Sequence, residues 1–168
     1  MLIMEILQHA ILEPFDLVGG NIDCRRVCRF LFVFAAGKKG CRCDGSRTTQ
    51  NRGAVPYSVF LDPAFSRVGL SEEEARAKGY RVKVARLAAA AIPKAQVLQN
   101  PAGLLKAVVD GETGQILGAH LFCEESYEMI NLVKLAMDAG LPYTALRDGI
   151  YTHPTMSEAF NDLFAALS

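Results

Sequence analysis

A surplus of charge of either sign is the first thing this chain of 168 residues lacks: 18 lysines and arginines stand against 18 aspartates and glutamates. No basic tract gathers the cations, so nucleic-acid binding has no electrostatic footprint here. Long apolar runs are missing too. The longest near the start, residues 30–36, lies between Arg29 and Lys38 and falls far short of the ~20 residues that cross a bilayer. Residues 1–10 carry Glu5 and no basic stretch, which argues against a secretory leader. The five cysteines are then expected to be reduced, in a cytoplasmic setting. A glycine-rich dinucleotide loop is absent as well: Gly19-Gly20 and Gly37-Lys38-Lys39-Gly40 do not fit Gly-x-Gly-x-x-Gly after a strand.

What is present is material for a core. Hydrophobic residues make up 51% of the chain, which excludes a disordered polar chain and is enough for one domain, or a domain plus an appendage. Two parts differ in character. Residues 1–47 form an atypical N-terminal segment: a helix is possible over 1–12, Gly19-Gly20 interrupts the chain, and Cys24 and Cys28 lie among arginines. Residues 48–168 read as one globular domain.

Within that domain, strands are predicted over 55–61, with Pro56 near the start where a missing N–H is tolerated, and over 66–70. Ser71-Glu72-Glu73-Glu74 has the pattern of a capping box at the head of a helix that Gly79 ends. A half-buried strand follows over 80–87. Residues 88–101, with two prolines, suggest an irregular crossing. Asp110-Gly111-Glu112-Thr113-Gly114 joins strands 104–109 and 116–122 as a hairpin. An amphipathic helix over 126–139, stopped by Gly140, precedes a short helix from Leu141-Pro142 through Arg147. Strands joined by hairpins, with helices grouped on them, predict an α+β fold: a mainly antiparallel sheet with helices packed on it, not a parallel doubly wound sheet. His120 reads as a satisfied sheet histidine, Cys123 as a small core residue, and Lys106 and Lys134 as solvated charges.

Near the C-terminus stands Tyr151-Thr152-His153-Pro154-Thr155-Met156-Ser157-Glu158, and two readings of it are open. Thr155 and Glu158 have the spacing of a capping box, in which the Thr side chain accepts from the Glu158 N–H and the carboxylate reaches back to the Thr155 N–H. Thr155 would then start a helix over 156–167. In the other reading Glu158 orients His153, a proton-transfer group at the lip of that helix.

Val55-Pro56, Phe60, Pro63, Val68-Gly69-Leu70-Ser71-Glu72, Leu117-Gly118-Ala119, Glu128-Met129-Ile130 and the His153-to-Glu158 run recur in this order in one family. Residues 44–168 resemble the C-terminal dimerisation domain of pyridine nucleotide-disulfide oxidoreductases, the FAD enzymes that include glutathione reductase, dihydrolipoamide dehydrogenase and mercuric reductase. Val55-Pro56-Tyr57-Ser58-Val59-Phe60, the run 128–134 and the run 137–143 resemble most the bacterial branch tied to reactive-chlorine resistance and copper(II) reduction. The resemblance implies that His153 reaches the active site of the other subunit, near the flavin and the redox-active thiols. There it would act as general acid–base, with Glu158 hydrogen-bonding and orienting it; the His-Pro bond is often cis in such proteins. A thiolate is the reactive form of cysteine, so a neighbouring imidazole governs both attack and the protonation of the leaving thiol. FAD and NAD(P)H are implied as cofactors of the full-length family. A second copy, or a chain carrying the flavin domains, is implied as partner.

The chain departs from the family in one respect above all. The redox disulfide, two cysteines separated by four residues, is missing: Cys24 and Cys28 enclose three residues, and Cys41 and Cys43 one. No cysteine lies in the last forty residues, unlike the mercuric reductase and large thioredoxin reductase types. No cofactor site, no metal site and no disulfide reductase activity are therefore expected from this chain alone. An interrupted or frame-shifted gene would account for residues 1–47. Two further readings stay open. One is a stand-alone homodimerisation module without chemistry. The other is a zinc site built from the early cysteines and His9, although neither cysteine pair has the usual two-residue gap.

Overall fold

A computed structural model describes residues 53–167. Residues 1–47, the boundary at 47/48 and the candidate zinc ligands His9, Cys24, Cys28, Cys41 and Cys43 lie outside the described residues. Strands β1 (Tyr57–Val59), β2 (Phe65–Gly69), β3 (Val82–Ala88), β4 (Leu104–Asp110) and β5 (Ile116–Phe122) make one sheet in the order β1-β2-β5-β4-β3. Every pairing is antiparallel, as the hairpin signals predict. The turn between β4 and β5 is written into its side chains. Asp110 accepts from Thr113 Oγ1 at 2.6 Å and from the Glu112 N–H at 3.2 Å, which together hold its carboxyl below the usual range. Gly114 takes a φ of 72° that a β-carbon would disfavour.

Glycine is required where β2 and β5 approach. Gly69 and Gly118 stand opposite each other in the register. A β-carbon on Gly118 would collide with the Leu70 backbone, and one on Gly69 with the Leu117 carbonyl. Elsewhere the chain is more regular, or less, than its prolines suggest. β1 is shorter than predicted because Pro56 has no N–H to pair. The crossing over residues 88–101 is irregular only in part: a 3₁₀ turn (Ala89–Ala91) leads into a helix, Pro93–Val97, with Pro93 in its first turn, where the missing N–H costs nothing, and residues 98–101 carry no helix or strand. Among the described residues no helix is long and apolar enough to cross a membrane.

Successive strand residues point to opposite faces, and one face is the core. Leu105, Ala107 and Val109 of β4, Ala119 and Leu121 of β5, Val68 and Ala85 are buried. They cluster with Met129, Ile130, Val133 and Ala136 of the helix Ser126–Asp138 and with Phe160, Leu163 and Phe164 of the helix Ala159–Ala165. Numbered in chain order with Glu72–Ala77 as α1 and Pro93–Val97 as α2, these are α3 and α5; α4 is the short Thr144–Arg147 between them.

The opposite face is charged. Arg67, His120, Lys106 and Arg86 are direct cross-strand partners over β2, β5, β4 and β3, a row of basic side chains that by itself would weaken the sheet. Helix α1 offsets it. Glu72 binds Lys106 at 2.7 Å and Arg86 at 3.1 Å, and Glu74 binds Arg67 at 2.5 Å. The predicted capping box is formed: Ser71 Oγ accepts from the Glu74 N–H, and the Glu74 carboxylate from the Ser71 N–H. The acids that start α1 therefore also neutralise the sheet. Lys106 is thus ion-paired, not a solvated charge, and so is Lys134, to Asp138 one turn along α3.

His120 is in the predicted strand but is not fully satisfied: its Nδ1 is buried and has no hydrogen-bond partner among the described residues. Burial, then the charges of Arg67 and Lys106, hold its pKa down to about 4 from the ordinary 6.5, with Glu74 pulling weakly the other way. Between those two values the unfolded chain binds a proton that the folded chain refuses, so protons favour unfolding there. The folding equilibrium constant should therefore fall by up to roughly tenfold per pH unit as the pH drops through that window. Urea melts across pH 7 to 4 should show this slope, and His120→Gln should flatten it. An identical acid limb in the variant would show that His120 does not carry the effect.

Candidate functional site

After α4 the chain turns back before entering α5, and the turn is fastened at several points. The Tyr151 hydroxyl donates to the Leu146 carbonyl at 2.9 Å, and its ring packs on Phe160 with centroids 6.5 Å apart. The Asn161 amide, one turn into α5, donates to the carbonyls of Arg147 (2.6 Å) and Gly149 (2.9 Å). Thr155 Oγ1 donates to the Thr152 carbonyl at 2.8 Å. The His153–Pro154 peptide bond is cis. Ile150 in this turn is fully exposed.

Glu158 serves both of the readings left open by the sequence. Its Oε2 lies 2.7 Å from His153 Nδ1, while its Oε1 accepts the Thr155 N–H at 3.1 Å. Only half of a capping box forms. The Thr155 hydroxyl is engaged with Thr152, no side chain caps the helix, and α5 begins at Ala159. The predicted helix start at Thr155 is corrected accordingly: the Thr155 hydroxyl is turned to the Thr152 carbonyl and does not cap, and the helix begins at Ala159 instead of Met156.

The electrostatics follow from that division. An ionised carboxylate only accepts, so His153 Nδ1 carries the ring proton and Nε2 is left on the free edge of the ring. The imidazole is 69% exposed and the Glu158 side chain 18%. The hydrogen bond with His153 holds the Glu158 carboxyl below its usual range against some desolvation, and the Thr155 N–H adds to this. Because that value is lowered, the pair's contribution is complete above the ordinary carboxylate range. It is lost as the pH falls through the folded Glu158 value.

The structure thus brings the predicted His153 and Glu158 within hydrogen-bond distance, with the imidazole exposed to solvent. Tyr151 and Asn161, which hold the turn, were not singled out for this by the sequence. Asn161 reaches carbonyls twelve and fourteen residues earlier, and no local pattern announces such a bond. Other chemistry is sparse. Among the described residues no group of three or more His, Cys, Asp or Glu could hold a metal ion. Cys123 is buried, and burial followed by the charges of Glu124 and Glu125 pushes its thiol up to about 12, which keeps it protonated and unreactive. The described strands are joined without a glycine-rich strand-to-helix turn, so FAD and NAD(P)H do not fit a cradle on these residues.

Known proteins share this fold. The model of the pyridine nucleotide-disulphide oxidoreductase dimerisation domain matches residues 55–164. The chain is 56% identical over 122 residues to the probable pyridine nucleotide-disulfide oxidoreductase RclA of Escherichia coli K12, covering 73% of this chain and 28% of that protein. It is 36% identical over 113 residues to a dihydrolipoyl dehydrogenase of Mycobacterium tuberculosis H37Rv, covering 67% and 24%. The solved Cu(II) complex of the HOCl-induced flavoprotein disulfide reductase RclA from Escherichia coli superposes with a TM-score of 0.72 at 54% identity, over 74% of this chain and 28% of that one. The chain spans about a quarter of the length of these curated relatives. The family model covers more than half of the chain and the fold superposes on that of RclA, so the chain belongs to the pyridine nucleotide-disulfide oxidoreductase dimerisation-domain family, in a form similar to RclA.

Proposed function

We propose that this chain contributes the dimerisation domain, over residues 48–168, of an FAD-dependent, NAD(P)H-driven disulfide or metal-ion oxidoreductase. Residues 1–47 are a separate segment in this reading. His153, supported by Glu158, is its acid–base group, and it acts in the active site of a partner chain in the cytoplasm, where thiols stay reduced. The observation that carries the reading is the His153–Glu158 pair itself: an exposed imidazole whose Nδ1 is held at 2.7 Å by a carboxylate anchored to the Thr155 N–H.

The chemistry on this chain's own atoms is a proton relay. Nε2 takes the proton of a thiol as its S–H bond breaks and the thiolate becomes the nucleophile. The imidazolium so formed is balanced by Glu158. Nε2 then returns the proton to the leaving thiolate. The flavin and nicotinamide belong to the partner's domains in this reading, and no step on them involves the residues described here.

Supplying this chain to a co-expressed chain that carries the flavin domains should raise NAD(P)H oxidation, and the two should co-purify. A rate unchanged by the presence of this chain would remove the proposed function. Sedimentation of this chain alone separates the second reading. A tight homodimer, with no gain in turnover for the flavin partner, would favour a stand-alone association module.

A further inference from the structure

We infer that Asn161 is a positioning residue for His153, acting through the turn that carries it; this rests on the acid–base reading of His153. The turn from α4 to α5 needs a restraint, because its tip is solvated. Ile150 is fully exposed and the His153 side chain 69% exposed, and between them Tyr151 rests on Phe160. A tip so sparsely packed samples many backbone conformations, and ordering it costs about 1–2 kcal/mol per residue. Polar bonds from a rigid element add to the Tyr151 contact in fixing it.

Asn161 supplies them from the core. Its backbone sits in α5 between Phe160 and Leu163, both fully buried. Both of its amide bonds go to one side of the turn, the carbonyls of Arg147 and Gly149. Glu158, three residues earlier on the same entry to α5, holds the other side through Thr155 and His153. The two side chains therefore clamp both limbs of the turn to a single helix. The Tyr151 hydroxyl bond to Leu146 lies between the clamps. Geometry near 2.7–3.1 Å must be reproduced for a proton to pass between groups, and a loop free to shift by an ångström loses it. An asparagine is suited to this work: one NH₂ group carries two donors that can meet two carbonyls at once. Aspartate has the same shape and no donor.

The test uses this chain alone, with nitrogen-15 labelling. In the native chain, backbone order parameters over residues 148–153 should be near 0.85, the rigid range. The His153 ring nitrogens should report the Nδ1–H tautomer that the Glu158 bond selects. Asn161→Asp and Asn161→Ala should drop those order parameters below about 0.6 and move the ring signals toward the more usual Nε2–H form. Amides of α3 and β5 should stay as they were. Asn161→Gln, which keeps the amide donors, should recover part of the order. A purely structural asparagine would lower the melting temperature of the variants and leave the ring signals and loop order at 25 °C unchanged, and that result overturns the inference. If the Asp and Ala variants do not fold, Asn161→Gln decides: native ring signals with a loosened turn contradict the clamp, and a coupled change in both upholds it. Because no activity is read, a loosened His153 that proves catalytically irrelevant would count against the acid–base role alone.

Discussion

Replacing Phe160 by alanine is expected to lower the stability of the domain by about 3–5 kcal/mol. The ring is fully buried. It packs against Phe164 at 6.1 Å and Tyr151 at 6.5 Å between centroids, and α5 lies over β3 and β4. Truncation removes the transfer free energy of the ring and leaves a void whose walls, a sheet on one side and aromatic rings on the other, cannot close freely. The tilted aromatic pairs add about 0.5–1.5 kcal/mol beyond buried area. The damage should extend to the turn, since Tyr151 precedes His153 by two positions and loses the ring it rests on. Urea denaturation at neutral pH would show the midpoint falling with the slope unchanged; a loss under about 1 kcal/mol would mean that the ring is not a core element. Leu135→Ala is the control. That side chain is 66% exposed on α3, and its loss should stay within about 0.5 kcal/mol.

What the sequence made legible was local. The β4–β5 hairpin rests on Asp110, Thr113 and Gly114, all within five residues, and the start of α1 on Ser71 and Glu74, three apart. Each could be read because the partner of each polar group lies within one turn. The family resemblance did the same for His153 and Glu158, whose spacing alone left two uses of one carboxylate in competition. A carboxylate has two oxygens, and the structure employs both, which spacing could not show. The basic row was hidden for another reason. Arg67, His120, Lys106 and Arg86 come from four strands, and they align only once the register of the whole sheet is known. His120 therefore read as an ordinary sheet residue, and Glu72 and Glu74 read only as helix-starting acids. Asn161 escaped notice because its bonds span the turn. In the crossing over 88–101 a proline reads as a breaker from sequence alone, whereas Pro93 opens a helix.

His153→Ala should slow NAD(P)H oxidation by the reconstituted pair of chains by roughly 10²–10⁴-fold, equivalent to about 3–5 kcal/mol of barrier. In the proposed role, the substitution removes the atom that would accept the thiol proton. It leaves the core intact, since the side chain is mostly solvated and its one bond in the described structure is to Glu158. Glu158→Gln should do less, about tenfold: an amide oxygen can still accept from Nδ1, but it no longer balances the imidazolium. Loss in the first variant with near-native stability separates a chemical role from a structural one. The most direct measurement is the turnover of NAD(P)H by this chain combined with a flavin-domain partner, with His153→Ala against the native chain at equal, verified complex formation. A fall of at least a hundredfold is predicted, and equal rates would contradict the role assigned to His153.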